Sequence, residues 1–361
     1  MKTQIDMSQL KDVPKNGYKV ISTFSGCGGS SLGYKLAGYD VKCAVEFIPK
    51  AIETYKANFP TTPVVTKDIR TVTGEELLKI SGLKKYDVDI LDGSPPCCSF
   101  SVAGIREKGW GKVRKYSSTK QRTDDLFFEY IRIVKEIMPK VIIAENVKGL
   151  TMGKAKEVLN KVLAQLDEVG YNVRYKVLDA SDYGVPQKRE RTIIIGVRKD
   201  LNIIPTFPKP LGYKITTKEA IGDLINNGTD QVNHSKREYY MKEYFHSGCG
   251  YKEITQIAKE HGLKVYKQCY RRDRWNEPYY TITQHHTRPY HPIVDRIMSI
   301  DEGKRIQTFP DDFKLLHSPT QNWERIGRAV PPNLMKEISK HIQITVLDKL
   351  NKINEERDND E

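Results

Sequence analysis

From about residue 18 to residue 196 the chain alternates short apolar runs with segments of helical period, and this alternation restricts it to few folds. Strand-like runs lie at residues 18–24, 41–47, 64–65, 88–91, 141–145, 171–179 and 191–197. Helix-like segments lie at 31–37, 50–58, 124–138 and 154–169. Strands separated by helices predict an α/β class: a doubly wound, mainly parallel sheet with helices on both faces. Beyond Arg198 the regularity fades. Residues 201–290, rich in Pro, Gly, Asn, His and Tyr, read as a second, smaller and irregular module. Periodicity returns at 333–354, which reads as one long helix, and the acidic stretch from Glu355 is expected to fray. A chain of 361 residues has room for both modules.

Two loops in this frame carry chemistry. The first apolar run ends in Phe24-Ser25-Gly26-Cys27-Gly28-Gly29-Ser30-Ser31-Leu32-Gly33. Glycines directly after a first strand allow a tight turn and close approach of a ligand to the backbone. The spacing of Gly26, Gly28 and Gly33 is not G-x-G-x-x-G, which disfavours a dinucleotide pyrophosphate. Glu46 ends the second strand candidate, where a carboxylate can accept from ribose hydroxyls. Asp68 follows the third and can accept from the exocyclic amine of adenine. Either acid can equally be a surface charge; together they fit a nucleoside cofactor without a pyrophosphate. The second loop is Gly93-Ser94-Pro95-Pro96-Cys97-Cys98, where two prolines stiffen the backbone ahead of a thiol at a strand end.

Charge and cysteine usage narrow the setting. Lys and Arg number 59 against 46 acids, a net charge of +13. Residues 105–122 hold seven of those cations and one acid, so a net +6 follows the second loop. Such a segment, with Gly104, Gly109 and Gly111 around Trp110, reads as a mobile loop able to close on a phosphate backbone. Residues 201–290 carry 14 basic and 9 acidic side chains, with many Tyr and His suited to base edges. Within them, 253–263 matches the first part of a helix-turn-helix and also an ordinary amphipathic helix. None of the six cysteines forms a C-x-x-C pair, so no metal site is expected. Their scatter suits a reducing cytoplasm, and neither a signal peptide nor a membrane span is evident.

Five segments in order, 24–29, Pro95-Pro96-Cys97, Glu145-Asn146-Val147, 187–191 and 327–332, resemble the DNA (cytosine-5) methyltransferases, which use S-adenosyl-L-methionine. The resemblance implies a Rossmann-like catalytic domain at 17–200 and a target-recognition domain at 201–290. A segment at 291–354 would return to the catalytic domain, ahead of a polar tail at 355–361. It implies Cys97 as the nucleophile that adds to cytosine C6, since C5 is itself a poor nucleophile. Glu145 would contact N3 and the 4-amino group and act as proton donor, Arg191 would contact O2, and Arg189 would bind a phosphate or support the site. Methyl-donor contacts would fall at Phe24, Ser25, Gly26, Gly28, Gly29, Leu32, Glu46, Asp68, Ile69 and Pro96. The target base would leave a double-stranded DNA stack to react. A monomer is expected, and its setting stays open between pairing with a restriction endonuclease, phage self-protection and a solitary regulator. A tRNA cytosine-5 methyltransferase and a catalytically silent DNA-binding relative are the alternatives. Two positions depart from the family pattern: Cys98 stands where glutamine is usual, and Arg328 where asparagine is common.

Overall fold

The computed structural model describes residues 6–96, 114–116, 119–121, 125–226, 243–264, 270–284 and 288–360, with the backbone alone at 114–116, 119–121, 251, 354 and 357–360. The chain divides into two compact units. The larger comprises Gln9–Asp179, Glu190–Lys209 and Pro332–Glu361, and the smaller Met1–Ser8, Ala180–Arg189 and Pro210–Pro331.

The larger unit is built on strands β1 (Lys19–Thr23), β2 (Asp40–Val45), β3 (Val64–Val65) and β4 (Ile90–Gly93). Helices α1 (Gly29–Leu36), α2 (Pro49–Asn58) and α3 (Gly74–Ser81) alternate with them. Two short strands, β5 (Arg114–Tyr116) and β6 (Thr119–Gln121), pair antiparallel. Then come α4 (Leu126–Ile137), β7 (Val141–Val147), α5 (Ala155–Val169) and β8 (Tyr171–Asp179). After the two-residue β9 (Gln187–Lys188) of the smaller unit, β10 (Glu190–Arg198) returns to the sheet.

Seven strands take the order β3-β2-β1-β4-β7-β10-β8. Those from β3 to β7 are parallel, whereas β10 runs antiparallel to both β7 and β8. The expected doubly wound, mainly parallel sheet is therefore present, with β10 as its reversed strand. Central strands are buried on both faces, which is why Val20-Ile21 and Ile90-Leu91 are unbroken apolar pairs. Helix α4 buries Leu126, Phe127, Tyr130, Ile131, Ile133, Val134 and Ile137, a stripe of helical period.

Strand order reverses between β1 and β4, the position at which doubly wound sheets open a crevice at their carboxyl ends. In register, Thr23 lies beside Gly93. The glycine-rich turn and the Pro-Pro loop thus leave the sheet from adjacent strand ends.

The structure revises three local expectations. Helix α3 is absent from the sequence-based candidates, although Thr73 caps it by accepting the Glu76 N–H at 3.1 Å. The segment at 333–354 is not one regular helix. It runs as a helix over Pro332–Ile342, a π-turn over Gln343–Leu347 and a helix over Asp348–Asp360. That last helix includes the stretch from Glu355 expected to fray. The C-terminal path is fastened to the start of the sheet: the Tyr18 hydroxyl donates to Asp348 at 2.7 Å, and the Tyr39 hydroxyl donates to the Ser339 carbonyl at 2.8 Å.

The smaller unit pairs β9 in parallel with β11 (Tyr279–Tyr280). Its helices include Thr217–Ile221, Tyr251–Glu260, Ile300–Ile306 and Pro319–Arg328. Ser299 and Glu302 form a capping box at the start of the 300–306 helix. Tyr251–Glu260 is the amphipathic helix of the 253–263 segment, and Ile254 is its buried anchor beside Phe245 and Tyr290. Trp323 and Ile326 pack with Tyr279, Ile282, Met298 and Ile306. That packing groups the helices at 300–306 and 319–328 with the irregular region, and the chain rejoins the larger unit only at Pro332.

Candidate active site

The glycine turn is shaped by backbone that only certain residues tolerate. Gly26 and Gly28 have φ of 56° and 101°, and Phe24 takes the left-handed region at 53°. A Cβ on Gly28 would lie 2.4 Å from the Phe59 ring, whereas one on Gly26 would meet nothing within 4 Å. Gly26 thus faces open space, while Gly28 is needed for packing. Gly33 serves packing as well: its Cβ would lie 2.6 Å from the Pro332 carbonyl oxygen and 2.7 Å from Met335 Cβ. Gly29 and Leu32 are buried in α1, and the Ser25 hydroxyl donates to the Ser22 carbonyl at 2.8 Å.

Glu46 holds this turn to the end of β2. One carboxylate oxygen accepts the Gly26 N–H at 2.7 Å; the other accepts those of Phe47 and Ile48 at 2.8 and 2.7 Å. Three of roughly four lone-pair sites are thereby used, leaving one direction for a ligand hydroxyl. Phe47, 37% exposed, presents an aromatic ring beside it that the sequence reading did not single out. Asp68 accepts the Arg70 N–H at 3.0 Å and pairs with its guanidinium, which also binds Asp125. Ile69 is buried, and its carbonyl accepts from Arg132. No Lys or Arg lies between Phe24 and Gly33. A polar, cation-free turn with an acid and an aromatic ring beside it suits a nucleoside with no phosphate.

At the other strand ends, Glu145 of β7 and Arg191 of β10 share one face. Register pairs Glu145 with Ile193 and Val147 with Arg191, so the two side chains are diagonal neighbours. Arg191 Nε lies 2.9 Å from Glu145 Oε1, with the side chains 12% and 11% exposed. Burial lowers the proton affinity of Arg191, and the adjacent Glu145 opposes that shift. The next residue, Asn146, is buried and donates from its amide to the Pro95 carbonyl at 3.1 Å. This contact ties the Glu145 strand to the Pro-Pro loop, and the sequence reading assigned Asn146 no role. Pro96 is half-buried, while Cys97 and Cys98 lie outside the described residues. So does most of the basic segment at 105–122, apart from the backbone of β5 and β6.

Arg189 is placed differently from the other predicted catalytic residues. It is buried in the smaller unit and donates to the carbonyls of Ile282, Gly327 and Ala329 at 3.0, 3.0 and 3.1 Å. Its side chain is 1% exposed, and its guanidinium serves these backbone carbonyls. Gln187 acts alongside: it accepts the Ile282 N–H at 2.9 Å and donates to Gln307 at 2.6 Å. Gly327 is close-packed, since a Cβ there would lie 2.5 Å from the Thr283 carbonyl oxygen. Arg328, the departure from the usual asparagine, pairs with Glu324 at 2.9 Å along its own helix. Among the described residues no cluster of His, Cys, Asp and Glu could hold a metal ion.

A doubly wound sheet, a cation-free glycine turn and a Glu–Arg pair at neighbouring strand ends define an α/β methyltransferase. Comparison with known proteins gives the family. Residues 18–344 match the C-5 cytosine-specific DNA methylase family model. The type II methyltransferase M.XorII of Xanthomonas oryzae pv. oryzae is 31% identical, over 89% of this chain and 84% of that protein. M.Sau96I of Staphylococcus aureus is 35% identical, over 94% of this chain and 78% of that protein. The solved structure of an Escherichia coli prophage protein, titled as a putative DNA modification methyltransferase, superposes with a TM-score of 0.69 at 25% identity, covering 92% of this chain and all of the other. Spodoptera frugiperda DNMT2, at 18% identity and a TM-score of 0.62, shares the fold over 90% of this chain and 99% of that one. The chain belongs to the C-5 cytosine-specific DNA methylases, enzymes that use S-adenosyl-L-methionine to methylate cytosine in DNA. No helix among the described residues is long and apolar enough to cross a membrane.

Proposed function

We propose that this enzyme methylates a cytosine flipped out of double-stranded DNA at a specific short sequence, through a covalent bond between Cys97 Sγ and C6. The observation that carries the reading is the group Glu145, Arg191 and Asn146–Pro95. An acid and a guanidinium are fixed at strand ends, and the loop leading to Cys97 is held from the next residue. Addition of the Cys97 thiolate to C6 moves electron density to C5 and to the O2–N3 edge. Glu145, placed to pass a proton to N3, and the positive charge of Arg191 suit that edge. After methyl transfer the C5 proton leaves to a base, the S–C6 bond breaks, and the thiolate is regenerated. S-adenosyl-L-methionine supplies, when bound, the electrophilic methyl group. Phe24, Ser25, Gly26, Gly28, Gly29, Leu32, Glu46, Asp68, Ile69 and Pro96 form or support its place. Among them, the open backbone at Gly26 and the remaining Glu46 acceptor are the parts suited to direct contact. The smaller unit, together with the basic segment at 105–122, would read and clamp the DNA.

The type II relatives support a restriction–modification setting; in it a monomer would work in the cytoplasm beside an endonuclease. Methyl transfer from labelled S-adenosyl-L-methionine to duplex DNA tests the chemistry. Cys97→Ala is expected to lose it by about 1,000-fold or more, and Glu145→Gln by roughly 100-fold. Cys98→Ser is expected to retain it. Undiminished transfer by Cys97→Ala would overturn the reading.

A further inference from the structure

Asp92 is the third residue of β4, in the middle of the sheet, and only 1% exposed. Its neighbours Ile90 and Leu91 are the apolar residues such a strand calls for. A carboxyl there is costly unless its oxygens are held. Hydroxyls hold them. Ser22 of β1 donates to Oδ2 at 3.0 Å, Tyr34 of α1 donates to Oδ1 at 3.3 Å, and Ser30 of α1 adds a third side-chain hydrogen bond. Two further contacts extend the set. Thr23 donates to the Asp92 carbonyl at 2.9 Å, and the Ser25 hydroxyl lies 3.3 Å from Ser22 Oγ. A continuous hydroxyl chain therefore runs from the glycine turn to the strand that leads into the Pro-Pro loop. Gly93 closes the same contact, since a Cβ there would lie 2.6 Å from the Tyr130 ring and 2.9 Å from the Thr23 hydroxyl.

We propose that Asp92 is a positioning residue of this methyltransferase: its carboxylate gathers Ser22, Ser30 and Tyr34 and so keeps the glycine turn aligned with the strand end that carries Pro95-Pro96-Cys97. This rests on the reading of the turn as the methyl-donor site and of Cys97 as the nucleophile. The titratable groups facing Asp92 are Tyr34 from α1, Tyr55 from α2, Tyr130 from α4 and Glu145 from β7. Among the described residues no cation pairs with it. Burial pushes Asp92 up to about 7, with the Glu145 charge adding to the shift and the hydroxyl donors opposing it. The three hydroxyls are all served by the anion. Once protonated, the carboxyl carries a hydrogen of its own, so one hydroxyl loses its acceptor and the grip on α1 loosens.

The test is calorimetric binding of S-adenosylhomocysteine to the full chain, run beside methyl transfer to duplex DNA. In the unaltered enzyme affinity should fall roughly fivefold from about pH 8 to about pH 6, as Asp92 takes up a proton. Asp92→Asn should bind roughly fivefold more weakly at about pH 8 and show no step across that range. Ser22→Ala keeps the carboxyl but removes a donor to its anion. It should weaken binding roughly threefold and move the step to higher pH. If Asp92→Asn folds but keeps both the native affinity and the native step, Asp92 has no positioning role. If it does not fold, an unchanged affinity and step in Ser22→Ala excludes that role equally. Cys97→Ala separates the two readings: active transfer by that variant removes the nucleophile, whereas an inactive variant with a flat native binding profile removes only the role of Asp92.

Discussion

The Asn146 side-chain amide donates to the Pro95 carbonyl at 3.1 Å, so the strand end bearing Glu145 also anchors the loop leading to Cys97. Residues 51 positions apart thereby become one part of the site. Loss of this buried bond should cost about 1–3 kcal/mol, felt mainly where the loop must be aligned. Asn146→Ala is expected to lower kcat by roughly tenfold while changing S-adenosylhomocysteine affinity by less than about twofold. Steady-state kinetics paired with a binding titration separates the two effects.

Arg189 makes a different prediction, since its contacts are structural. Arg189→Met removes a guanidinium that serves three backbone carbonyls, two of them buried, and should destabilise the protein by roughly 3–5 kcal/mol. Arg189→Lys should recover little, because an ammonium cannot reproduce a planar fork across Ile282, Gly327 and Ala329. Chemical denaturation of both variants checks this.

Two glycines should fail in distinguishable ways. Gly33→Ala drives a methyl into Pro332 and Met335, so thermal stability should fall by roughly 1–3 kcal/mol. Gly26→Ala meets no atom, and its cost is the left-handed backbone, about 1 kcal/mol. Its larger effect should be weakened donor binding, because the new methyl points into the open space at the turn. Melting curves and binding isotherms on both variants give a crossed pattern.

Acid stability should depend on His291. It is fully buried, and its Nδ1 accepts the N–H groups of Ile293 and Val294 at 3.2 and 3.1 Å. Burial lowers it from 6.5 to about 4, with the Glu302 carboxylate opposing the shift and the Arg296 and Arg272 charges adding to it. The folded form therefore binds fewer protons than the unfolded chain between those values. Its contribution is complete above about pH 6.5 and is lost as pH falls toward about 4, up to roughly 3 kcal/mol. His291→Asn, whose side-chain oxygen can take the place of Nδ1, should flatten that part of the stability profile.

Asp92 should act with the opposite sign. Raised from 3.8 to about 7, it binds more protons folded than unfolded, so its contribution is complete below about pH 4 and lost as pH rises through about 7. Asp92→Asn should gain stability relative to the unaltered enzyme across that window, by at most roughly 4 kcal/mol. Denaturant midpoints measured at several pH values will show whether the gap widens.

The fold was legible because its determinants are local. Apolar runs at 20–21, 90–91 and 141–144 mark strands buried on both faces, and the stripe on α4 marks a helix against them. Glycines at 26 and 28 announced a turn after β1. Helix α3 escaped because it is short, although Thr73 and Glu76 carried its start signal. The break at 343–347 escaped because the apolar pattern continues through it. Of the predicted site residues, Glu145 and Arg191 meet on one face, Glu46 accepts from the Gly26 N–H, and Arg189 donates to backbone carbonyls.

The sequence by itself determined the α/β alternation, the chemistry-bearing residue types and the family they resemble, because each is carried by neighbours in the chain. Only the tertiary structure decided what those residues touch. Asn146 finds Pro95 because β4 and β7 are adjacent; Gly33 must be glycine because Pro332 returns to α1. Asp92 reads in the sequence as one acid among 46, and it becomes a buried carboxyl only when β1, α1, α4 and β7 close around it. Burial and partnership arise from the order of strands in space, which no single stretch of the chain contains.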